Sequence, residues 1–132
     1  MIVLDASVVI AQFASHDVHH RRATEFFLEH LDEDFLVHTL TLTEILVGPT
    51  RIGRGEFAEQ QLKGLGASEW IPSSGGAARL ARLRVDTGLK HPDGCVLDAA
   101  MVTASPLATF DGQLTRVAAS VGVRVLGLPA AG

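Results

Sequence analysis

Met1-Ile2-Val3-Leu4-Asp5-Ala6-Ser7 is the stretch whose reading decides the fold. Ile2, Val3 and Leu4 are consecutive apolar residues, and they read as a short strand buried on both faces. The strand ends where Asp5 begins, so it delivers a carboxylate to the rim of a sheet. In open parallel sheets, ligands gather beyond the carboxyl ends of the strands, near the point where strand order reverses. Asp5 therefore stands where a site is expected. The competing reading makes Asp5 the cap of the next helix, with Ser7 an equally good cap, and this stretch alone supports both.

Working outward, strands and helices alternate. Ser7 to Phe13 reads as a short helix capped near Ser7. Asp17 opens a clearer one, with Ala23, Phe26, Phe27, His30 and Leu31 at helical spacing and Glu25, Glu29 and Asp32 opposite. Phe35–His38 reads as a second buried strand. Thr41–Val47 follows as a helix that Gly48 and Pro49 should stop. Thr50 to Gly66 is a charged loop and an exposed helix, with Phe57 and Leu62 as contact points, and it is the segment best suited to face a partner. Glu69 to Pro72 is a short strand, and Ser73 or Ser74 opens a helix running towards Gly88. Its arginines Arg79, Arg82 and Arg84 read as a solvated face. His91–Val102 is an apolar, buried helix with Pro92 at its start and Asp93 in its first turn, where the macrodipole favours an anion. Leu107–Thr109 forms a strand ending at Phe110-Asp111, Gly112–Ser120 a helix, and Val123–Leu126 an edge strand. This order predicts an α/β fold with a central, mainly parallel sheet, as one domain over residues 1–132.

The bulk properties agree. A 132-residue chain that is 47% hydrophobic is long enough for one real core and too short for two. Asp5, Gln12, Glu44 and Asp98 interrupt the apolar runs, so no membrane span is expected, and no basic lead-in suggests a secretory signal. The single cysteine, Cys95, suits a buried thiol. The expected location is the cytoplasm. A formal charge of −4 argues against holding nucleic acid by bulk attraction, so any such contact must use a local patch. Nine of the eleven basic residues are arginine, whose planar fork suits phosphate or a partner's carboxylate. His16, His19 and His20 have a spacing that metals accept, but no cysteine or further histidine is arranged to complete a tetrahedral site, and they read as a polar loop.

Four acids share a placement: Asp5 and Asp111 just past strands, Asp93 at a buried helix start, Glu44 early in another helix. Carboxylates converging in one cleft repel one another and call for a cation. Oxygen-only donors select Mg²⁺ or Mn²⁺ over zinc, and such ions assist hydrolysis of phosphate esters. Glu44 has a second explanation, because Thr41 with Glu44 three residues on is a capping box. Asp98 lies five positions beyond Asp93, roughly 140° around a helix, so the two cannot point the same way. It is expected to be an ion-pair partner or an outer acid, with Arg84 or Arg116 as mates. Ser7, Thr43 and Thr109 are each within two residues of a proposed ligand, and they read either as outer hydroxyls orienting the ligands or as ordinary caps.

Leu4-Asp5-Ala6-Ser7, Thr43-Glu44, Pro92-Asp93 and Thr109-Phe110-Asp111, in that order and spacing, resemble the PIN-domain ribonucleases, and the chain length resembles the VapC-type toxins of toxin–antitoxin pairs. The resemblance covers essentially the whole chain. It implies a PIN-like three-layer α/β/α sandwich in which Asp5, Glu44, Asp93 and Asp111 form an acidic quartet holding Mg²⁺ or Mn²⁺ for endonucleolytic cleavage of RNA. It also implies a homodimer and a cognate antitoxin, for which the helical segment Arg51 to Lys63 is a surface, with DNA contacted only through the antitoxin complex. Two features depart from the family pattern: Asp98 stands at a usually apolar place, and Gly112-Gln113 follows Asp111 where a charged residue is common. Two other classes compete. One is a PIN-like binding module that has lost catalysis. The other is a phospho-accepting signalling domain, disfavoured because Asp5 is followed by Ala6 and the only lysines are Lys63 and Lys90.

Overall fold

A computed structural model describes residues 1–126 and Leu128. The domain expected over 1–132 thus includes residue 127 and residues 129–132, which lie outside the described residues. Five strands, β1 (Ile2–Leu4), β2 (Phe35–His38), β3 (Ala67–Trp70), β4 (Leu107–Ala108) and β5 (Val125–Leu126), form one sheet in the order β3-β2-β1-β4-β5. Every pairing is parallel, so the sheet is wholly rather than mainly parallel. The helices are α1 (Ala6–Phe13), α2 (His20–Glu29), α3 (Thr39–Arg51), α4 (Gly55–Gly64), α5 (Gly76–Thr87), α6 (His91–Thr103) and α7 (Gly112–Ser120).

Alternation along the strands divides the core into two layers. Ile2 and Leu4 of β1, Phe35 and Val37 of β2, and Ala108 of β4 face one side, packed by Val8 and Val9 of α1, Phe26 and Phe27 of α2, Ile45 of α3 and Leu62 of α4. Val3, Leu36 and Leu107 face the other, against Val96, Leu97 and Ala100 of α6, Leu114 and Ala118 of α7, and the half-buried Leu83 of α5. This split follows from handedness. The chain steps from β1 to β2 to β3, then crosses back to β4, and right-handed crossovers place helices on opposite faces when the direction reverses. The result is a three-layer α/β/α sandwich whose strand order reverses between β1 and β4. Val3 and Leu4 are wholly excluded from water, and burying each side chain contributes about 1.5–3 kcal/mol, which holds the backbone at Asp5 in place.

Several element ends differ from the sequence reading. α2 starts at His20 rather than Asp17, because the Asp17 carboxylate accepts the His19 N–H at 2.8 Å and closes a local turn first. Leu31 consequently lies beyond the helix and is exposed. α3 does not stop at Gly48 and Pro49 but runs through them to Arg51. Proline so near a helix end removes only its own N–H, and the Ile52 and Arg54 amides still bond the Pro49 carbonyl. α5 opens after Gly75, at φ +88°, and not at Ser73 or Ser74; it ends at Gly88, whose left-handed backbone is the common glycine cap. Among the described residues, no helix is long and apolar enough to cross a membrane.

Candidate functional site

The crevice beyond the carboxyl ends of β1 and β4 is where strand order reverses, and the last backbone link across it is the Asp5 N–H to the Ala108 carbonyl, 3.0 Å. Asp5 does occupy the cap position of α1, yet its side chain makes no capping bond. Its Oδ2 instead accepts two hydroxyl protons, from Ser7 Oγ and from Thr109 Oγ1, each at 2.7 Å. Both hydroxyls are oriented from behind. Ser7 Oγ accepts the Phe110 N–H at 3.1 Å, and Thr109 Oγ1 accepts the Asp111 N–H at 3.0 Å. With their lone pairs facing amides, both hydroxyls aim their single protons at Asp5, and Asp5 presents an ordered, nearly buried carboxylate. Ser7 is therefore not the cap of α1. It lies in the first turn of that helix and serves as a clasp between β1 and the end of β4.

Asp111 caps α7: its Oδ1 accepts the Leu114 N–H at 2.8 Å. Asp93 sits in the first turn of α6, after Pro92, and is half-buried. Burial, followed by the charges of Asp5, Asp111 and Glu44, pushes its carboxyl up to about 6, against a smaller opposing pull from Lys90. Glu44 is exposed on α3, and its carboxyl is likewise raised, first by desolvation and then by Asp5. Asp5, Asp111 and Glu44 thus all act on Asp93, and Asp5 also acts on Glu44. The capping box is absent, since α3 begins at Thr39, two residues before Thr41, and its cap is His38, whose Nδ1 accepts the Leu40 N–H at 3.0 Å. Glu44 is not spent on a helix end.

The outer residues divide. Ser7 and Thr109 touch Asp5, as one of their two readings held. Thr43 does not join the site: its hydroxyl is exposed and donates back to the Thr39 carbonyl at 2.7 Å, the local bond that helical threonines favour. Asp98 points away from the acids, as its angle to Asp93 requires, and pairs with neither Arg84 nor Arg116. Arg79 holds it, Nε to Oδ1 at 2.9 Å and Nη2 to Oδ2 at 3.3 Å. The sequence reading missed two neighbours of the site. His19 stacks on Phe110 with ring centroids 4.2 Å apart, and His38 caps the helix that carries Glu44. Neither has a sequence signal of its own, because a histidine cap lies outside the usual preference and the stack joins distant segments.

The donor set fits a hard divalent cation by its chemistry, being all carboxylate oxygen, mutually repelling, and short of neutralising cations. Among the described residues, no three His, Cys, Asp or Glu side chains close around a common point as they stand. Asp5 and Asp111 each have one oxygen engaged by hydrogen bonds, while Glu44 carries none among the described residues. Beside the acids, Glu44 also borders an apolar groove of about 530 Å³ between α1, α3 and α4, lined by Ile10, Phe13, Ile45, Ile52, Phe57 and Leu62.

No curated protein matches the sequence. Solved structures do match the fold. VapC20 of Mycobacterium tuberculosis, described as a sarcin–ricin loop cleaving toxin, superposes with a TM-score of 0.75 at 13% identity, covering 96% of this chain and 98% of that one. FitAcB of Neisseria gonorrhoeae gives 0.73 at 19% identity over 96% and 97% of the two chains. A toxin–antitoxin complex from Klebsiella pneumoniae gives 0.68 at 22% identity over 84% and 87%. At these identities the likeness is one of fold. The sequence itself matches the PIN domain over residues 2–120, which takes in all four acids and both hydroxyls that orient Asp5, and the chain belongs to the PIN domain family.

Proposed function

We propose that this protein is a Mg²⁺- or Mn²⁺-dependent endoribonuclease and the toxin of a toxin–antitoxin pair. The observation that carries the reading is the cluster that Asp5, Glu44 and Asp111 form with the half-buried Asp93 at the start of α6, whose carboxyl is raised to about 6 first by burial and then by the charges of Asp5, Asp111 and Glu44. Such a cluster has little structural use, and a divalent cation relieves it. When bound, the ion supplies charge neutralisation and Lewis acidity for hydrolysis of a phosphodiester. The chain's own residues do the rest. Ser7 and Thr109 orient Asp5, Asp93 loses its proton near neutrality and becomes available as a donor, and Glu44 and Asp111 complete the set from α3 and α7.

The toxin assignment draws on the proteins of similar fold, one of them described as a toxin–antitoxin complex and another as a sarcin–ricin loop cleaving toxin. The apolar groove beside Glu44 supports it, since it leaves Phe57 and Ile52 largely exposed on the predicted partner segment. An antitoxin segment seated there lies next to the acids and blocks them, a second copy of the chain completes a homodimer, and DNA is met only through the antitoxin. One observation favours a binding module without catalysis: the acids are not closed around a common point.

Cleavage of a labelled RNA pool in Mn²⁺, Mg²⁺ and excess EDTA, with Asp93→Asn alongside, separates the two. Discrete cuts that need metal and vanish in the variant establish the nuclease. Equal cutting by the variant marks a contaminant or a wrong assignment, and no cutting by either leaves the binding module.

A further inference from the structure

Arg116 has no acid to hold. Asp98, its expected mate, is taken by Arg79, and among the described residues Arg116 makes no ion pair at all. Its side chain nevertheless has a definite course. It folds back over the first turn of α7, so that Nη1 lies 3.3 Å from where a Cβ on Gly112 would stand. A Cβ at 112 would meet the end of this side chain, so glycine lets the guanidinium lie against the residue that follows Asp111. On the neighbouring helix, Lys90 stands at the cap of α6, three residues before Asp93 and close enough for its charge to be felt there. Lys90 is exposed and also forms no ion pair among the described residues. Each of these unpaired cations thus stands on a helix that carries one of the acids: Arg116 on α7, which Asp111 caps, and Lys90 at the cap of α6, which carries Asp93.

We propose that Arg116 and Lys90 are the phosphate-holding residues for the RNA strand, each taking a phosphate next to the one that the carboxylates address. This rests on the nuclease reading and deepens it by assigning the path of the substrate. The acids alone repel a polyanion, and the net charge of −4 offers no long-range attraction. Binding must come from local cations that are free, exposed and near the cleavage point. Arg54 lines the apolar groove with Glu44 but lies over the Phe57 ring, 4.5 Å from its centroid, and Arg79 is committed to Asp98. Arg116 presents a planar fork suited to two phosphate oxygens, and Lys90 a point charge. Lys90 also sits at the cap of α6, whose free amides add to the attraction for an anion.

The test is binding of a fluorescently labelled single-stranded RNA in Ca²⁺ over a series of salt concentrations, for the wild type, Arg116→Gln, Lys90→Ala and Arg124→Ala. RNA integrity is checked after each titration, and cleavage in Mn²⁺ is measured in parallel. Arg124 precedes β5 at the opposite end of the sheet and controls for bulk charge. Each of the first two variants is expected to weaken binding roughly tenfold, as for loss of one charged hydrogen bond, and to reduce the slope of log K against log salt by about 0.7. Arg124→Ala should match the wild type, and all four proteins should melt together. If Arg116→Gln and Lys90→Ala bind like the wild type while the wild type binds and cuts RNA, the inference fails and the nuclease stands. An equal loss in Arg124→Ala also overturns it, and a wild type that neither binds nor cuts RNA removes both.

Discussion

Thr109 and Asp5 are 104 residues apart in sequence and joined by a 2.7 Å hydrogen bond across the crevice between β1 and β4. Thr109 is fully buried, and its oxygen at the same time accepts the Asp111 N–H. One hydroxyl therefore couples the first acid of the cluster to the backbone of the last. Ser7 repeats the device through the Phe110 N–H. The positions of Asp5 and Asp111 relative to each other are set by these two side chains as much as by the sheet.

Thr109→Val keeps the shape and removes the buried hydroxyl, leaving the Asp111 N–H without its acceptor and Asp5 with one donor. The expected loss is about 1–3 kcal/mol of stability and roughly 10- to 100-fold of RNA cleavage, the usual cost of removing a group that orients a ligand. Thr109→Ser should retain most of both. Urea unfolding and cleavage assays on the two variants decide it, and a valine variant as stable and active as the wild type would show the bond to be incidental.

Asp98 is almost wholly buried, and Arg79, with 33% of its side chain exposed, is its only ion-pair partner among the described residues. Removing Arg79 alone strands a buried charge. Arg79→Ala should lower stability, though by less than breaking a fully buried pair does, because water already screens the guanidinium. Replacing both, as Asp98→Leu with Arg79→Met, should return stability to within about 1 kcal/mol of the wild type. RNA cleavage should survive in the double variant, since Asp98 faces away from the acids; its loss there would place Asp98 in the site.

Much of this was legible in the chain because it depends on local pattern. A short apolar strand followed by Asp5, the proline before Asp93 and the Gly112–Ser120 helix need no distant contact to be read, and the alternation of strands with helices is enough to infer a parallel sheet. What escaped depends on competition between local signals or on long-range geometry. Thr41 and Glu44 have the spacing of a capping box, but His38 reaches the helix start first, and Gly48-Pro49 looks like a stop although α3 continues through it. Arg79 rather than Arg84 or Arg116 meets Asp98 because of how α5 packs on α6. Ser7 and Thr109 kept two readings until the crevice brought them to one oxygen.

His38 leads to a prediction at low pH. Its neutral ring accepts the Leu40 N–H through Nδ1, and protonation destroys that acceptor. Burial holds its pKa below the ordinary value, outweighing the attraction of Asp98. The unfolded chain then takes up the proton first. The stability that His38 contributes is full above its ordinary value of about 6.5 and is lost as pH falls through the lower folded value. His38→Asn supplies a good cap without a titrating group, so the fall in urea midpoint between pH 7 and pH 5 should be smaller in that variant. An unchanged fall would assign the acid sensitivity elsewhere.

Asp93 works in the opposite sense. Its folded pKa of about 6 lies above the ordinary 3.8, so the native state binds the proton more tightly and ionisation penalises folding. The penalty is absent below the ordinary value, grows as pH rises between the two, and is complete above about 6. Without metal, Asp93→Asn should therefore raise Tm by a few degrees at pH 8, on the order of 1 kcal/mol in a domain of this size, and leave it unchanged at pH 4. A divalent cation reverses the order, because binding to the native state alone stabilises it by RT ln(1 + [L]/Kd), and the wild type should gain Tm in Mn²⁺ at pH 7.5 while Asp93→Asn gains little. The wild-type gain should shrink at pH 5, where the proton competes for Asp93. Thermal melts of both proteins, with and without Mn²⁺ at these four pH values, test this directly, and a variant that responds to Mn²⁺ as fully as the wild type would take Asp93 out of the metal set.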